Sequence, residues 1–379
     1  MKKIVFNNVN KSCNYTKNIE LLFSDYELFR KKHFSTLCIH KLEKIFTKSD
    51  LFLTHSATGA LEMIATLLEI EPGDEIIMPS FTFVSTALAF VNKGAVPVFI
   101  DINPITLNID VTLIEQAITS KTKAIIAMHY GGNSCDLKAI KSICEKHNLP
   151  LIEDAAMSFG GVFEEKPLGS FGDLSVISFD ITKHIQAIQG GLLLVNNKKY
   201  SQRANSIYNI GTNRADYQNG AVPYYEWVDY GSKYQMNELN AAVLEEQLNN
   251  SDDLLNHRKK ISKLYYEKLK PFETANALKL MPFDYLKTNV HEFYILLNSE
   301  QERDELISHL NNYNIEALFH YIPLHQSIMG AKKGKFIGSN ITENISKTLL
   351  RLPFHSEITA KDIDYIVLSI GAFLDKKNS

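Results

Sequence analysis

Short apolar runs alternate with helical segments from residue 51 onward, and this alternation constrains the fold more than any other feature of the chain. The apolar runs predict strands at 51–53, 75–78, 96–100 and 124–128, and near residues 151, 174 and 192. Helices are predicted between them, one ending near residue 68 and others at 82–91, 111–117 and 137–146. Repeated β-then-α units with short connections predict an α/β fold whose mostly parallel sheet carries helices on both faces.

The pattern changes in the last third of the chain. A long helix is predicted from about residue 237 to 269 and is expected to connect two domains. Beyond it we expect strands at 292–297 and 315–319, and helices at 303–313, near 345 and at 360–374. These elements predict an N-terminal arm and a large domain over residues 1–249, and a smaller α+β domain over residues 250–379.

The stretch from Leu151 to Gly191 carries the chemistry. Two short buried strands each deliver polar groups at their C-terminal ends, with Asp154 after the first and Lys183 four residues beyond the second. Ligands bind at this edge of open α/β sheets. An acid and a lysine placed there suit an aldehyde cofactor with a basic ring nitrogen, since the lysine forms the Schiff base and the acid keeps the nitrogen protonated. That cofactor is pyridoxal phosphate.

Each of these residues alone has an ordinary explanation. An acidic pair after a strand is often a helix cap, and a lone lysine is usually a solvated surface residue. The joint arrangement favours a cofactor site. Glu153 and Asp154 are adjacent on a strand and point to opposite faces, so only one of them can reach the ring.

The segments EDAA, GSFGD, TK and GG in this stretch resemble the DegT/DnrJ/EryC1/StrS family of sugar-nucleotide aminotransferases. The resemblance runs from about His55 to the C-terminus and includes the long segments GDEIIMPSFTFVSTALAFV, GTNRADY, FHYIPLH and LLRLP. It implies aspartate-aminotransferase fold type I and transfer of an amino group from L-glutamate to a nucleotide-linked keto-deoxysugar. The segments favour C4 of dTDP-4-keto-6-deoxyglucose, with C3 of a 3-keto isomer as the alternative.

The resemblance also implies roles for single residues. Lys183 would be the Schiff-base lysine and proton shuttle, and Asp154 the partner of the ring nitrogen. The remaining cofactor residues would be Ala57, Thr58 and Ser178 at the phosphate, Phe83 stacked on the ring, and Lys233 reaching the phosphate in the neighbouring subunit. His320 and Tyr321 would line the sugar site.

Three positions depart from the pattern of the family. Met157 stands where the family usually has Gln, Asp180 where it has His, and Gln189 where an acid is common before the Gly-Gly pair. The Schiff-base and ring-nitrogen chemistry does not depend on these positions. They bear on the tuning of the cofactor and on the position of the sugar.

Two segments predict contacts with a second copy of the chain. Residues 1–50 are polar, with helical periodicity only at 34–46, and are expected to cover the large domain or a partner. Residues 208–234 form a predicted irregular segment rich in Asn, Gly and Tyr. A loop of this length is usually functional or disordered, and its aromatic content argues against disorder. We therefore expect a homodimer with shared active sites.

Composition excludes several other classes of protein. The net charge of −3 provides no basic surface for nucleic acid or for a membrane. No segment approaches the roughly 20 apolar residues of a membrane span. The four cysteines have neither CxxC nor metal-ligand spacing, which indicates reduced thiols, no metal and a cytoplasmic location.

The alternatives to an aminotransferase come from several classes of protein. The absence of GxGxxG after the early strands and of a Walker motif disfavours nicotinamide enzymes and P-loop proteins. A related sugar dehydratase would have His at the position of Lys183. A catalytically inactive binding or regulatory relative is the alternative from another class.

Overall fold

A computed structural model describes residues 3–11, 13–282, 284 and 290–378. The large sheet contains eight strands: β1 (Asp50–Thr54), β2 (Glu75–Pro79), β3 (Val96–Ile100), β4 (Thr122–Met128), β5 (Leu151–Asp154), β8 (Leu174–Ser178), β9 (Gly191–Val195) and β13 (Lys335–Ile337). Between β5 and β8, the short strands β6 (Val162–Phe163) and β7 (Lys166–Pro167) form a separate hairpin. The order of the large sheet is β1-β9-β8-β5-β4-β2-β3-β13.

The mostly parallel sheet predicted from the sequence is confirmed. Seven strands share one direction, and β9 is antiparallel to both of its neighbours, β1 and β8. This reversal has a simple cause, because only twelve residues connect β8 to β9. A parallel return would need a longer crossover, usually a helix. The loop between these strands, which contains Lys183, therefore lies at the C-terminal edge of the parallel strands.

Helices cover both faces of the large sheet. They are α4 (Ala57–Leu67), α5 (Ser85–Val91), α6 (Val111–Ala117), α7 (Leu137–His147), α8 (Ser201–Tyr208) and α10 (Glu238–Asn249). The short helix α9 (Arg214–Gln218) follows α8 and buries none of its residues. Successive residues of β2 show the two layers. Ile76 and Met78 pack with α4, whereas Ile77 packs on the opposite face with α6 and α7. Burial on both faces explains why the strands are continuous apolar runs.

The N-terminal region folds onto the large domain. Its helices are α1 (Tyr15–Ser24), α2 (Tyr26–Arg30) and α3 (His33–Ile45), and α1 and α3 pack against α10. The carboxylate of Glu238, in the first turn of α10, accepts hydrogen bonds from the backbone amides of Phe34 (2.8 Å) and Ser35 (3.2 Å). A carboxylate at a helix N-terminus satisfies amides that have no partner within the helix.

A second sheet lies in the C-terminal region. Its strands are β10 (Lys279–Leu280), β11 (Phe293–Leu296), β12 (Leu318–Phe319) and β14 (Leu349–Leu352), in the antiparallel order β10-β11-β14-β12. The helices of this region are α11 (Ser251–Thr274), α12 (Glu300–Asn312), α13 (Ile328–Lys333), α14 (Ile341–Thr348) and α15 (Ala360–Asn378). The apolar cluster between sheet and helices includes Tyr265, Phe293 and Ile366.

The single helix predicted at 237–269 is wrong. It is two helices, α10 and α11, which meet at Asn250. The side-chain amide of Asn250 donates to the backbone oxygen of Glu246 at 2.8 Å. Local side-chain bonding of this kind competes with a continuous helix. The strand predicted at 315–319 is also shorter, since β12 covers only its last two residues.

Two segments cross the predicted domain division at residues 249 and 250. β13 lies beyond the division in sequence but extends the large sheet through β3. Ile4 lies before the division but bonds to the C-terminal region, donating to Asn314 O at 2.8 Å and accepting from Glu316 N at 3.0 Å. The division itself remains a prediction. No helix within the described residues combines the length and the apolar character that crossing a membrane requires.

Candidate active site

A cavity of about 780 Å³ lies at the C-terminal edge of the parallel strands. Its lining includes the last residues of β4, β5 and β8, which are Met128, Asp154 and Ser178. The C-terminal region closes the other side. The predicted site residues that line it are Ala57, Thr58, Phe83, Asp154, Ser178, Lys183, His320 and Tyr321. The three departures from the family pattern, Met157, Asp180 and Gln189, line it as well.

Asp154 is buried at the end of β5 and faces the cavity. Its Oδ2 accepts a hydrogen bond from Thr86 Oγ1 at 2.8 Å, and its Oδ1 accepts from Ala156 N at 3.2 Å. Burial raises the pKa of this carboxyl, although these bonds and the nearby Lys183 oppose the rise. A carboxylate has about four acceptor positions, so Asp154 can take a further donor from a ligand.

Glu153 points the other way, into the protein. It accepts from His129 Nε2 at 2.9 Å and from the backbone amides of Phe171 (2.9 Å) and Gly172 (3.0 Å). Burial opposes its charge, but the bonds from His129 and from the loop amides lower its pKa overall. Glu153 therefore holds the loop before β8 in place and has no access to the cavity.

Lys183 lies in the turn after β8, where its backbone amide donates to Asp180 O at 2.9 Å. Its side-chain amine makes no hydrogen bond or ion pair with any described residue. Burial lowers the pKa of this amine, while the carboxylates of Asp154, Asp180 and Glu292 oppose the shift. The amine is thus shifted toward its neutral, nucleophilic form.

The N-terminus of α4 forms another wall of the cavity. Ser56 caps this helix by accepting from Gly59 N at 3.0 Å. The amides of Ala57 and Thr58, in the first turn, have no partner within the helix. Ser178 Oγ accepts from Asp180 N at 3.3 Å, which leaves the hydroxyl proton for a ligand. Free amides at a helix N-terminus, next to a hydroxyl, suit a phosphate.

The Gly-Gly pair of the sequence has a clear structural purpose at Gly191. A Cβ atom there would lie 2.4 Å from Ala57 N and 2.4 Å from Ser56 C. The start of β9 therefore passes directly beneath the N-terminus of α4, and only glycine permits this approach. The close contact fixes the height of the helix terminus over the sheet.

The chemistry of this side of the cavity fits pyridoxal phosphate. Lys183 offers an amine, Asp154 an acceptor for a protonated ring nitrogen, and the α4 terminus a phosphate site. Phe83 is 56% exposed despite its apolar ring, and it lines the cavity. An exposed aromatic face beside the acid and the amine suits a planar ring.

Lys233 lies outside the cavity of its own chain. It is exposed, and it is not among the residues that line the cavity of its own chain. The geometry of one chain thus separates Lys233 from the other predicted cofactor residues.

An ionic cluster on the C-terminal side of the cavity was not predicted from the sequence. Glu292 Oε2 accepts from Arg351 Nη1 at 3.2 Å and lies 3.5 Å from His320 Nδ1, which is 3.2 Å from the hydroxyl of Tyr130. Burial opposes the charge of Glu292, but His320 and Arg351 lower its pKa to about 2. Arg351 falls within LLRLP, a segment singled out only for its resemblance.

Other residues of the cavity were also missed. Phe6 and Asn7 come from the N-terminal arm, whose sequence carries no signal for a site. Thr86 and His291 line the cavity as well. Thr86 follows Phe83 by three residues, and its amide donates to Phe83 O at 3.1 Å. Its position near the site could therefore have been inferred from that of Phe83.

Comparison with known proteins gives a consistent result. Residues 41–371 match the model of the DegT/DnrJ/EryC1/StrS aminotransferase family. The chain is 32% identical to the spore coat polysaccharide biosynthesis protein SpsC of Bacillus subtilis, covering 83% of each chain. It is 30% identical to the GDP-perosamine synthase of Escherichia coli O157:H7, covering 85% of each.

The fold is also similar to that of a solved structure, Helicobacter pylori PseC, an aminotransferase involved in the biosynthesis of pseudoaminic acid. The TM-score is 0.89 at 22% identity, over 99% of this chain and 100% of the other. A match at this identity shows the fold alone. The family match spans most of the chain and includes the whole of the 151–191 stretch, with its acid, lysine and glycine pair. The chain therefore belongs to the DegT/DnrJ/EryC1/StrS aminotransferase family.

Proposed function

We propose that the protein transfers the amino group of L-glutamate to a nucleotide-linked keto-6-deoxyhexose, using pyridoxal phosphate. Aminotransferases of this family depend on that cofactor. The observation that carries the proposal is the convergence of Lys183 and Asp154 on one cavity, below the free amides of α4. When bound, the cofactor supplies an electron sink for the carbon that bears the amine.

Each residue on this side of the cavity has its own role in the proposed reaction. The amine of Lys183 moves a proton between the carbon of the amino donor or sugar and the carbon of the cofactor. Asp154 keeps a proton on the ring nitrogen. Ala57, Thr58 and Ser178 hold the phosphate, and Phe83 stacks on the ring. Histidine at the lysine position would favour a dehydratase, so Lys183 supports transamination.

The C-terminal side of the cavity suits the two substrates. Arg351 is the one arginine among the described residues that line it. A guanidinium pairs with a carboxylate through two parallel hydrogen bonds, which suits the carboxylate of glutamate. His320 and Tyr321 would contact the sugar.

We further propose C4 of dTDP-4-keto-6-deoxyglucose as the acceptor position, with C3 of a 3-keto isomer as the alternative. The proposal rests on the segments GTNRADY, FHYIPLH and LLRLP. A small shift of the sugar exchanges these carbons, since reacting atoms must approach to about 3–3.5 Å. Three residues that line the cavity and depart from the family pattern would determine this position of the sugar: Met157, Asp180 and Gln189.

We also propose that the protein is a homodimer with shared active sites. The segment 208–234 exposes large aromatic side chains, including Tyr224 (66%), Trp227 (80%) and Tyr230 (73%). Such a patch on an ordered segment supports contact with another protein surface. Lys233 lies shortly after this patch in the sequence and is exposed, which supports contact between its side chain and the cavity of a partner. All four cysteines are buried thiols rather than disulfides, which supports the proposed cytoplasmic location.

One experiment tests the substrate. The purified protein, supplied with pyridoxal phosphate, is incubated with glutamate and a panel of 3-keto and 4-keto sugars linked to dTDP, UDP and GDP. GDP belongs in the panel because one relative is named GDP-perosamine synthase. We expect a new amine at C4 of the dTDP sugar, located by NMR. Amination at C3 alone would overturn the regiochemistry and leave the aminotransferase proposal standing.

The alternative from another class is an inactive binding or regulatory protein. It predicts that no member of the panel is aminated. It also predicts that the purified protein lacks a visible absorbance band that disappears on borohydride treatment. A band of this kind, together with a borohydride-reduced adduct located on Lys183 by mass spectrometry, would exclude this alternative.

A further inference from the structure

The loop that carries Lys183 is held from outside by the N-terminal arm. The two neighbours of this lysine in the sequence, Thr182 and His184, each present a backbone oxygen to an asparagine of the arm. The side-chain amide of Asn7 donates to Thr182 O at 2.9 Å. The side-chain amide of Asn10 donates to His184 O at 3.3 Å. The arm therefore bonds to the chain immediately before and immediately after Lys183.

The side chain of Asn10 is buried, and its partners determine its orientation. Its amide nitrogen donates to His184 O and also to Gln247 Oε1 at 2.6 Å, while its oxygen accepts from the hydroxyl of Ser356. Because His184 O can only accept, the amide nitrogen must face the Lys183 loop. A buried polar network in which each of these groups has a partner favours one rigid arrangement.

The same part of the arm is anchored on the C-terminal side of the cavity. Phe6 lines the cavity, and its backbone amide donates to Glu316 Oε2 at 3.0 Å. Its ring lies against the guanidinium of Arg351, whose Cζ is 4.7 Å from the ring centroid. Asn10 follows Phe6 by four residues. The arm thus connects the wall that carries Arg351 with the loop that carries Lys183.

The position of the Lys183 amine depends on the backbone that carries it. This amine makes no hydrogen bond or ion pair with any described residue. In the proposed function it must approach the carbon of the substrate and the carbon of the cofactor in turn. Misplacement by about 1 Å at a reacting centre can cost about a hundredfold in rate. A contact that fixes the loop therefore bears on the reaction.

We propose that Asn7 and Asn10 are positioning residues for Lys183, which they hold through the backbone oxygens of its two neighbours. This inference rests on the proposed function. Neither bond is strong alone, because the bond from Asn10 is buried but long and the bond from Asn7 is shorter but exposed to solvent. Together they hold both sides of one residue, so their combined removal is the decisive change.

Neutral replacements remove the two bonds without adding charge. They are Asn7→Ala, Asn10→Ala and the double variant. Asn108→Ala is the matched control, because Asn108 is also buried and also donates to backbone oxygens, those of Asn133 at 3.1 Å and Ser134 at 2.9 Å. It does not line the cavity. The control therefore reports what the loss of a buried asparagine does to the protein in general.

The first measurement uses the full-length, cofactor-free protein and needs no substrate. Cyanate carbamylates neutral amines, and mass spectrometry follows the modification of Lys183 over a range of pH. The midpoint of this profile reports the pKa of the amine. Burial and Arg351 lower this pKa, and three carboxylates oppose the shift: Asp154, Asp180 and Glu292. All of these charged groups are retained in the variants.

A loop released from the arm lets the amine reach water, so its pKa should return toward that of an exposed lysine. We expect the midpoint to rise by about one pH unit in the double variant, and by about half a unit in each single variant. Asn108→Ala should keep the midpoint of wild type, because lower stability alone does not change a pKa within the folded protein.

The second measurement is turnover with glutamate and the sugar nucleotide. Asn10 does not line the cavity, so Asn10→Ala should lower kcat about fivefold and leave KM for both substrates unchanged. The double variant should lose about tenfold in kcat. Asn108→Ala should match wild type.

A double variant with the midpoint and kcat of wild type would overturn the inference, and so would equal changes in Asn108→Ala. If replacement of the buried Asn10 prevents folding, Asn7→Ala decides the question, because it removes only an exposed bond. Its midpoint should still rise, and a wild-type midpoint would overturn the inference. Shifted midpoints in a protein that aminates no sugar would refute the proposed function and leave the contact between the arm and the Lys183 loop in place.

Discussion

Burial acts in opposite directions on the two central residues of the cavity. It raises the pKa of Asp154 and lowers the pKa of Lys183. Both shifts favour the uncharged forms. A ligand that brings a protonated ring nitrogen to Asp154 reverses the first shift, because an opposite charge stabilises the carboxylate. The second shift is useful as it stands, since a neutral amine is the form that takes a proton.

Replacing Lys183 with Ala should abolish transamination. In the proposed function this amine moves the proton, and no other described lysine lines the cavity. The phosphate site proposed at Ala57, Thr58 and Ser178 is unchanged, so the variant should fold and still bind pyridoxal phosphate non-covalently. Single-turnover assays and equilibrium dialysis measure the two effects. Activity above a few per cent of wild type would contradict the assignment.

Replacing Asp154 with Asn should reduce turnover at least about a hundredfold, since an amide cannot hold the ring nitrogen protonated. Glu153 cannot substitute, because it is bound to His129 and to loop amides behind the strand. The effect on stability has the opposite sign. A raised carboxyl pKa means that stability is lost as pH rises through the folded pKa, so Asp154 contributes less stability to the cofactor-free protein at neutral pH than at acidic pH. Without cofactor, the variant should melt no lower than wild type at pH 7.

Glu153 holds the loop between β5 and β8 in place through its hydrogen bonds to the loop amides. Replacing Glu153 with Gln should lower the free energy of unfolding by about 3–5 kcal/mol, because a buried charge-assisted network loses its centre. The lowered pKa of Glu153 gives the pH dependence. Its contribution is present above the pKa of the unfolded carboxyl and is lost as pH falls through the folded value. The difference between wild type and variant in urea unfolding should therefore shrink toward acidic pH.

Glu115 provides the control for this comparison. It bonds to Lys146 and His147 at the surface, so Glu115→Gln should leave the urea midpoint unchanged. Equal midpoints for Glu153→Gln and wild type would show that the loop does not need the carboxylate.

Replacing Gly191 with Ala should disturb the N-terminus of α4. The new Cβ would lie 2.4 Å from Ala57 N, so β9 and the helix must separate. Overpacking of this kind costs about 1–3 kcal/mol, and displaced amides should weaken binding of the cofactor phosphate. Gly371→Ala in α15 is the control, because its nearest contact is a Phe272 side-chain atom at 3.0 Å. Thermal melts with and without pyridoxal phosphate should show a smaller ligand-induced shift for Gly191→Ala only.

The elements with strong local patterns were predictable from the sequence, and those set by distant contacts were not. The strands at 75–78 and 96–100 were found because burial on both faces makes them continuous apolar runs. β13 was missed because its three residues become a strand only through pairing with β3. In the site, Asp154 and Lys183 follow strands and carry a motif. Glu292 and Arg351 meet through antiparallel β11 and β14, a pairing that no local pattern reveals.

Over the whole molecule, the two sheets are tied together by crossing segments rather than by one linker. Residues of the N-terminal arm bond to the C-terminal region, and Phe6 and Asn7 also line the cavity. The cavity thus receives residues from three parts of the chain. The exposed aromatic segment before Lys233 does not line this cavity, and we therefore propose that it contacts a partner subunit.

Mixed dimers test that assignment directly. Lys183→Ala removes from a chain's own site the amine that we propose moves the proton. Lys233→Glu should repel the phosphate in whichever site Lys233 reaches. If Lys233 acts across the interface, a dimer with one chain of each kind has one site with both defects and one intact site. Random assembly makes half of the dimers mixed, so co-expression should restore about a quarter of wild-type activity.

If Lys233 acts within its own chain, every site in the mixed dimer keeps one defect. Co-expression would then give no more activity than the average of the two variants expressed alone. The two chains carry different affinity tags, so that mixed dimers are purified by successive capture and assayed for turnover. Co-expressed wild type and Lys183→Ala chains provide the control, since mixed dimers there have one intact site in either geometry. Activity restored in the control but not in the Lys233 pairing would refute the shared site. Failure to capture any mixed dimer would refute the dimer itself.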